Sequence, residues 1–138
     1  MHSFIINCLA VGFGGFLGAI GRYLIGLIPV KESTLFPFKT FAINLIGCAL
    51  IALIVVLFSR TPAAENTVLS NGNSAALREN LLLFLKVGIC GGFTTFSTFA
   101  LEATGLIRDG HPAVAFIYMI LSVAIGVAVV FFILLKGN

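Results

Sequence analysis

Gly91-Gly92-Phe93-Thr94-Thr95-Phe96-Ser97-Thr98-Phe99 interrupts a segment that is otherwise aliphatic and long enough to cross a bilayer. Two glycines, four hydroxyl side chains and three rings stand where a spanning helix ordinarily carries leucine or valine. The hydrocarbon core offers no water to bond with. An irregular or polar backbone at that depth persists only when protein buries it or a watery path runs past it. The stretch therefore points to a membrane protein that passes something polar.

The rest of the chain agrees with a bilayer setting. Of its 138 residues, 59% are hydrophobic and 9% charged, with a mean hydropathy of +1.15. A soluble domain carries about 25% charged residues. A spanning helix takes about 20 mostly apolar residues, and four segments qualify, about 3–28, 37–58, 80–107 and 112–135. The expected fold is thus an all-α membrane protein: one four-span domain over 1–138, its third helix broken mid-membrane. Four helices make a thin bundle, which favours association of copies to enclose a path. Residues 3–21 are uncharged, but no Lys or Arg precedes them and no small-residue cleavage site follows, so they are read as a retained span and not a signal peptide. The segment from Ser59 to Glu79 is the one aqueous-looking stretch, expected to be a loop with a partial helix.

Charge and cysteine usage exclude several classes. The net charge of +3 comes from scattered basic residues, with no block suited to nucleic acid. Cys8, Cys48 and Cys90 fall inside the spans without metal spacing, and are expected to pack as buried free thiols. No nucleophile–base or metal constellation supports an enzyme, and His2 and His111 lie outside the spans. With the N-terminus inside, one membrane face collects Arg60, Arg78, Lys86 and Lys136, and the other Arg22, Lys31, Lys39 and Arg108, four against four. Basic residues beside the spans normally set orientation. Here they leave it undecided, which makes an antiparallel, dual-topology homodimer an expectation.

Several residues within the spans can carry chemistry. In the first helix, the spacings Gly14–Gly18 and Gly12–Gly15 read as one stripe of bare backbone for close helix contact. In the third, Gly91 and Gly92 are expected to weaken the helix and free nearby carbonyls. Freed carbonyls can hold a small cation, and the hydroxyls of Thr94, Thr95, Ser97 and Thr98 can donate to an anion. Phe93, Phe96 and Phe99 recur every third residue along one drifting face, and a ring edge is electropositive. Asn44 is the one strongly polar interior residue of the second helix, suited equally to helix–helix hydrogen bonding and to lining a pore. Arg22 fits either a snorkelling side chain or an anion attractor at a mouth. Glu102 is the lone carboxylate well inside the third span: an ion-pair partner, a packing acceptor or a proton relay. Tyr118 and Ser122 share a face of the fourth helix.

These residues resemble the Fluc (CrcB-like) fluoride channels over essentially the whole length. The resemblance is carried by Gly14-Gly15-Phe16-Leu17-Gly18-Ala19-Ile20-Gly21-Arg22-Tyr23, by Asn44-Leu45-Ile46-Gly47 and by Gly91 to Phe99. It implies a dual-topology homodimer in a bacterial-type cell membrane, with two fluoride pores and a buried central Na⁺. By that resemblance Phe96 and Phe99 are ring-edge contacts for fluoride, Asn44 is the donor feeding them, and Ser97 and Thr98 form a hydroxyl track. Tyr118 and Ser122 line the pore, Arg22 stands in a vestibule, and Glu102 is an acidic group near the path. Gly91 and Thr94 would supply backbone carbonyls to the Na⁺. One departure from the family pattern is Lys39-Thr40, where Gly-Thr is common, and it leaves the local turn open. The rival is a small dual-topology proton-coupled exporter. That design needs an early intramembrane carboxylate, absent from residues 3–21.

Overall fold

The computed structural model describes residues 2–29, 34–60 and 72–137. Every element in them is helical. The order is α1 (His2–Gly26), α2 (Phe38–Arg60), α3 (Gly72–Leu82), a π-helical segment (Leu83–Cys90), the short α4 (Gly91–Phe93), α5 (Phe96–Arg108) and α6 (Pro112–Gly137). Four stretches are long and apolar enough to cross a membrane: Ser3–Gly26, Phe38–Arg60, Ala75–Arg108 and Pro112–Gly137. The third begins earlier than expected, because residues 72–79 of the expected aqueous loop are helical. Residues 61–71 of that loop, and Lys31 and Glu32, lie outside the described residues.

Local chemistry sets the helix ends. Pro112 opens α6 at a position where its missing N–H costs nothing. The preceding α5 closes with Gly110 in the left-handed region, at φ 84. There the His111 N–H reaches the Leu106 carbonyl at 2.8 Å and the Gly110 N–H reaches Ile107 at 3.2 Å. This pairing is the Schellman closure that glycine permits. It turns the chain back within three residues, so α5 and α6 pack as antiparallel neighbours. Lys39, the departure from the family pattern, donates from Nζ to the carbonyl of Gly26 at 2.7 Å. A cation on the last carbonyl of α1 complements the negative end of its dipole, and this joins the α1–α2 corner.

Packing divides the chain into two halves: α1 lies on the π-helical segment and α4, while α2 pairs with α6 and α6 with α5. In the first half, backbone meets backbone. A Cβ on Gly88 would come 2.8 Å from the Cα of Gly14, and one on Gly92 2.5 Å from the carbonyl oxygen of Gly15. Gly18 is equally closed, against Ile89 and Phe93. The expected stripe holds at Gly14 and Gly18, but Gly12 faces open space. Phe93 is a wedge between the halves, 8% exposed and seated against the bare backbones of Gly21 and Gly47. It therefore does not share a face with Phe96 and Phe99, as its spacing suggested. The buried core is small, and many large apolar residues point outward, Phe96 at 79% and Leu101 at 74% exposure among them. Of the three thiols, Cys90 is buried, Cys48 half-buried and Cys8 exposed, so the expected burial fails for Cys8.

Candidate functional site at the broken span

Thr94 and Thr95, not the glycine pair, break the third span. Gly91 keeps helical angles of φ −65 and ψ −38, whereas Thr94 has φ −77, ψ 159 and Thr95 has φ −148, ψ 113. Two extended residues strand backbone groups in a place without water, and each stranded group costs several kcal/mol, roughly, if left unpaired. Asn44 answers for Thr95. Its Oδ1 accepts the Thr95 N–H at 2.9 Å, and its Nδ2 donates to the Thr95 carbonyl at 3.2 Å. The two bonds fix which way the amide points. One of the two Nδ2 hydrogens is used, leaving the other for a further acceptor.

Thr95 then starts the next helix. Its Oγ1 accepts the Thr98 N–H at 3.2 Å, a side-chain cap for α5, and donates to the Thr98 hydroxyl at 2.9 Å, with Ser97 Oγ 3.4 Å away. These bonds divert two amides from their ordinary helical acceptors. A continuous helix would give the Thr95 N–H to the carbonyl of Gly91 and the Thr98 N–H to that of Thr94. Here they go to Asn44 and to Thr95 Oγ1. The carbonyls of Gly91 and Thr94 lose those amides, although both amide groups remain satisfied.

A cavity of about 280 Å³ opens beside the break, with Asn44, Thr95, Phe96, Phe99 and Ser122 on its wall. The Ser122 hydroxyl is buried without a hydrogen-bond partner. A second cavity of about 490 Å³ shares Cys48, Ser122 and Val123 with the first, so a groove continues along α6 toward Leu134. A row of rings leads from this groove toward the opposite end. Phe96 and Phe99 lie 5.7 Å apart, Phe99 and Tyr118 5.0 Å, and Tyr118 meets Phe36 edge-on at 5.3 Å. Behind the row Glu102 accepts from Thr40 Oγ1 at 2.7 Å and from the Tyr118 hydroxyl at 2.9 Å. Tyr118 is fully buried, so it is not an interfacial tyrosine.

Of the sequence-derived residues, Asn44, Phe96, Phe99 and Ser122 converge on one cavity. Tyr118 and Glu102 sit behind it as a bonded pair. Ser97 and Thr98 belong to the exposed start of α5 and line neither cavity. Arg22, half-buried near the end of α1, lines neither as well. Two residues carry more than the sequence reading assigned them. Thr95, taken there as one hydroxyl among four, is the node to which Asn44 and Thr98 both bind. Thr40, four residues before Asn44 and on the same face of α2, is the second, bonded to Glu102.

The family model for the CrcB-like protein, described also as camphor resistance, matches residues 9–134. A protein of Chlorobaculum tepidum named fluoride-specific ion channel FluC is 44% identical over 125 residues, covering 91% of this chain and 89% of its own length. Proteins of the same name from Ruminiclostridium cellulolyticum and Phocaeicola vulgatus are 41% identical (87% of this chain, 83% of theirs) and 36% identical (88% and 89%). Matches that run through all four spans, with the broken third span between them, leave one conclusion: this chain belongs to the CrcB-like family.

Proposed function

We propose that two copies of this chain, antiparallel in a bacterial-type cell membrane, enclose two pores that conduct fluoride passively. The cavity at the break carries the reading. One wall presents the spare Asn44 amide hydrogen, the unpartnered Ser122 hydroxyl and two phenylalanine rings, and the relatives' names supply the ion. Phe96, 79% exposed in a single copy, is left for a second copy to cover.

Fluoride is small and strongly hydrated, so its path must replace water with closely spaced donors. Asn44, Ser122 and ring edges offer several weak contacts in place of one deep trap, and conduction needs departure as much as entry. Glu102 anchors Thr40 and Tyr118, and Tyr118 backs the Phe99 ring. Ser97 and Thr98 extend the hydroxyl track on the exposed side of α5, and Arg22 draws anions to the mouth. An inside-negative potential of 100 mV favours anion exit by about 2.3 kcal/mol, enough for export without a pump.

A central Na⁺ fits the donor set. Hard cations take oxygen ligands, and the carbonyls of Gly91 and Thr94 have lost their helical amides. Gly91 also faces open space at the surface of the single chain. Those carbonyls, from both copies, would hold the ion, whose charge would tie the broken helices together.

Purified protein in liposomes tests the function. Fluoride is expected to leave through it at zero pH gradient once a potassium ionophore balances charge, with chloride retained. Efflux that demands a proton gradient would assign the proton-coupled exporter instead.

A further inference from the structure

At the end of the molecule away from Lys39, α2, α3 and the π-helical segment enclose a small cavity of about 190 Å³, lined by Val55, Phe58, Ser59, Arg78, Leu82 and Lys86. Two cations face a space whose remaining wall is largely apolar. The Arg78 guanidinium donates from Nη2 to the carbonyl of Phe58 and stacks over that ring, its centre 5.7 Å from the ring centroid. Its Nε is buried without a hydrogen-bond partner. Ser59 gives its hydroxyl hydrogen to Val55 at 2.7 Å, so Arg78 and Lys86 are the donors left to a ligand.

Depth identifies the ligand's chemistry. At about 1.5 Å per residue, and less through the π-helical segment, Arg78 lies no more than about 24 Å along the axis from Thr94, and Ser59 about 22 Å from Asn44. With the break at the midplane, the hydrocarbon edge is about 15 Å away and the outer limit of the headgroups about 22 Å. Arg78 therefore stands at the outer edge of the headgroup layer, within its side chain's reach of the lipid phosphates. Lys86, about 12 Å from the break, starts within hydrocarbon and reaches outward, its stem along apolar surface. We propose that this cavity binds the phosphodiester headgroup of an anionic phospholipid between Arg78 and Lys86, the acyl chains descending past Leu82 and Val55. Basic pockets between membrane helices hold such headgroups by charge.

The probes are phosphatidylglycerol, phosphatidylcholine and inorganic phosphate, added to protein in detergent. Bound lipid is read by native mass spectrometry and stability by the melting midpoint. Phosphatidylglycerol is expected to bind in preference to phosphatidylcholine. Lys86→Met and Arg78→Gln are each expected to weaken it about fivefold, the loss of one cation near a charged headgroup. Arg78 also braces the end of α2, so Arg78→Gln could unfold the chain; Lys86 makes no such bond, and Lys86→Met decides alone in that event. Equal binding of the two lipids, or unchanged binding to Lys86→Met, overturns the proposal. A melting shift with millimolar inorganic phosphate equal to that with phosphatidylglycerol makes the ligand free phosphate and overturns the lipid assignment.

Discussion

Asn44 holds the backbone together at the break and, in the proposed channel, would also serve the path. Its amide spans the Thr95 backbone with two bonds and still presents a hydrogen to the cavity. Asn44→Asp keeps the shape and can still accept the Thr95 N–H, but it has nothing to donate to the Thr95 carbonyl. It also places a negative charge beside the path. At about 4 Å and an effective dielectric of 20, like charges cost about 4 kcal/mol, near a thousandfold in rate. Fluoride efflux per folded protein is expected to fall to background, while Asn44→Ser retains part of it. Phe96→Ile separates ring chemistry from packing, because isoleucine keeps much of the apolar volume that a second copy would cover but lacks the electropositive ring edge. Flux is expected to drop with no change in the melting profile of the solubilised protein. A proportional fall of both would make Phe96 a packing residue. At Thr40, Thr40→Val removes a donor to the Glu102 carboxylate while leaving volume nearly unchanged. A hydrogen bond contributes about 0.5–1.5 kcal/mol net, and the melting midpoint is expected to fall accordingly, with Thr40→Ser restoring it.

At the scale of elements, hydropathy alone located the four spans, since a run of apolar residues bounded by Pro29, Pro37 and Pro112 has few other solutions in a bilayer. The presence of a break was legible for the same reason, because polar residues at depth need an explanation. Its position was not. Glycine marks weak helix by propensity, yet Gly91 and Gly92 stay helical, and Gly92 acts instead as a point of close approach to Gly15. The break falls at Thr95 because Asn44, 51 residues away in sequence, supplies the replacement bonds. No local pattern carries that information. The π-helical segment Leu83–Cys90 was equally hidden, its composition being that of any apolar helix. The glycine contacts yield a paired test. Gly88→Ala would set a Cβ 2.8 Å from the Cα of Gly14, and backbone cannot swing aside as a side chain does. Overpacking of that kind costs about 1–3 kcal/mol. Gly12→Ala and Gly105→Ala meet nothing within 4 Å and are expected to leave stability unchanged or raise it by up to about 1 kcal/mol. Thermal melts of the three variants would separate the two kinds of glycine.

For the whole molecule, the balance of basic residues has a structural counterpart. Lys39 is turned onto the end of α1, and at the opposite face Arg60 donates to the carbonyls of Gly137 and Lys136, at 3.0 and 3.3 Å, closing α6. Arg78 closes α2 on that same face. Cations at both ends thus complement helix dipoles, and neither face is left with the excess that would orient the chain. In the proposed channel, insertion in both directions would follow, and with it the antiparallel pairing that would bring a second copy over the exposed Phe96. The consequence is measurable in cells. Cys8, Cys48 and Cys90 are first replaced by Ala, and a single thiol is introduced at an exposed position on either face, as Asp109→Cys or Glu79→Cys. A thiol reagent that cannot cross the membrane, applied from outside, is expected to label about half the molecules of each variant, because each face is outside in half of them. Full labelling of one variant and none of the other would mean a single orientation. The path would then have to be built from parallel copies, or from one chain alone.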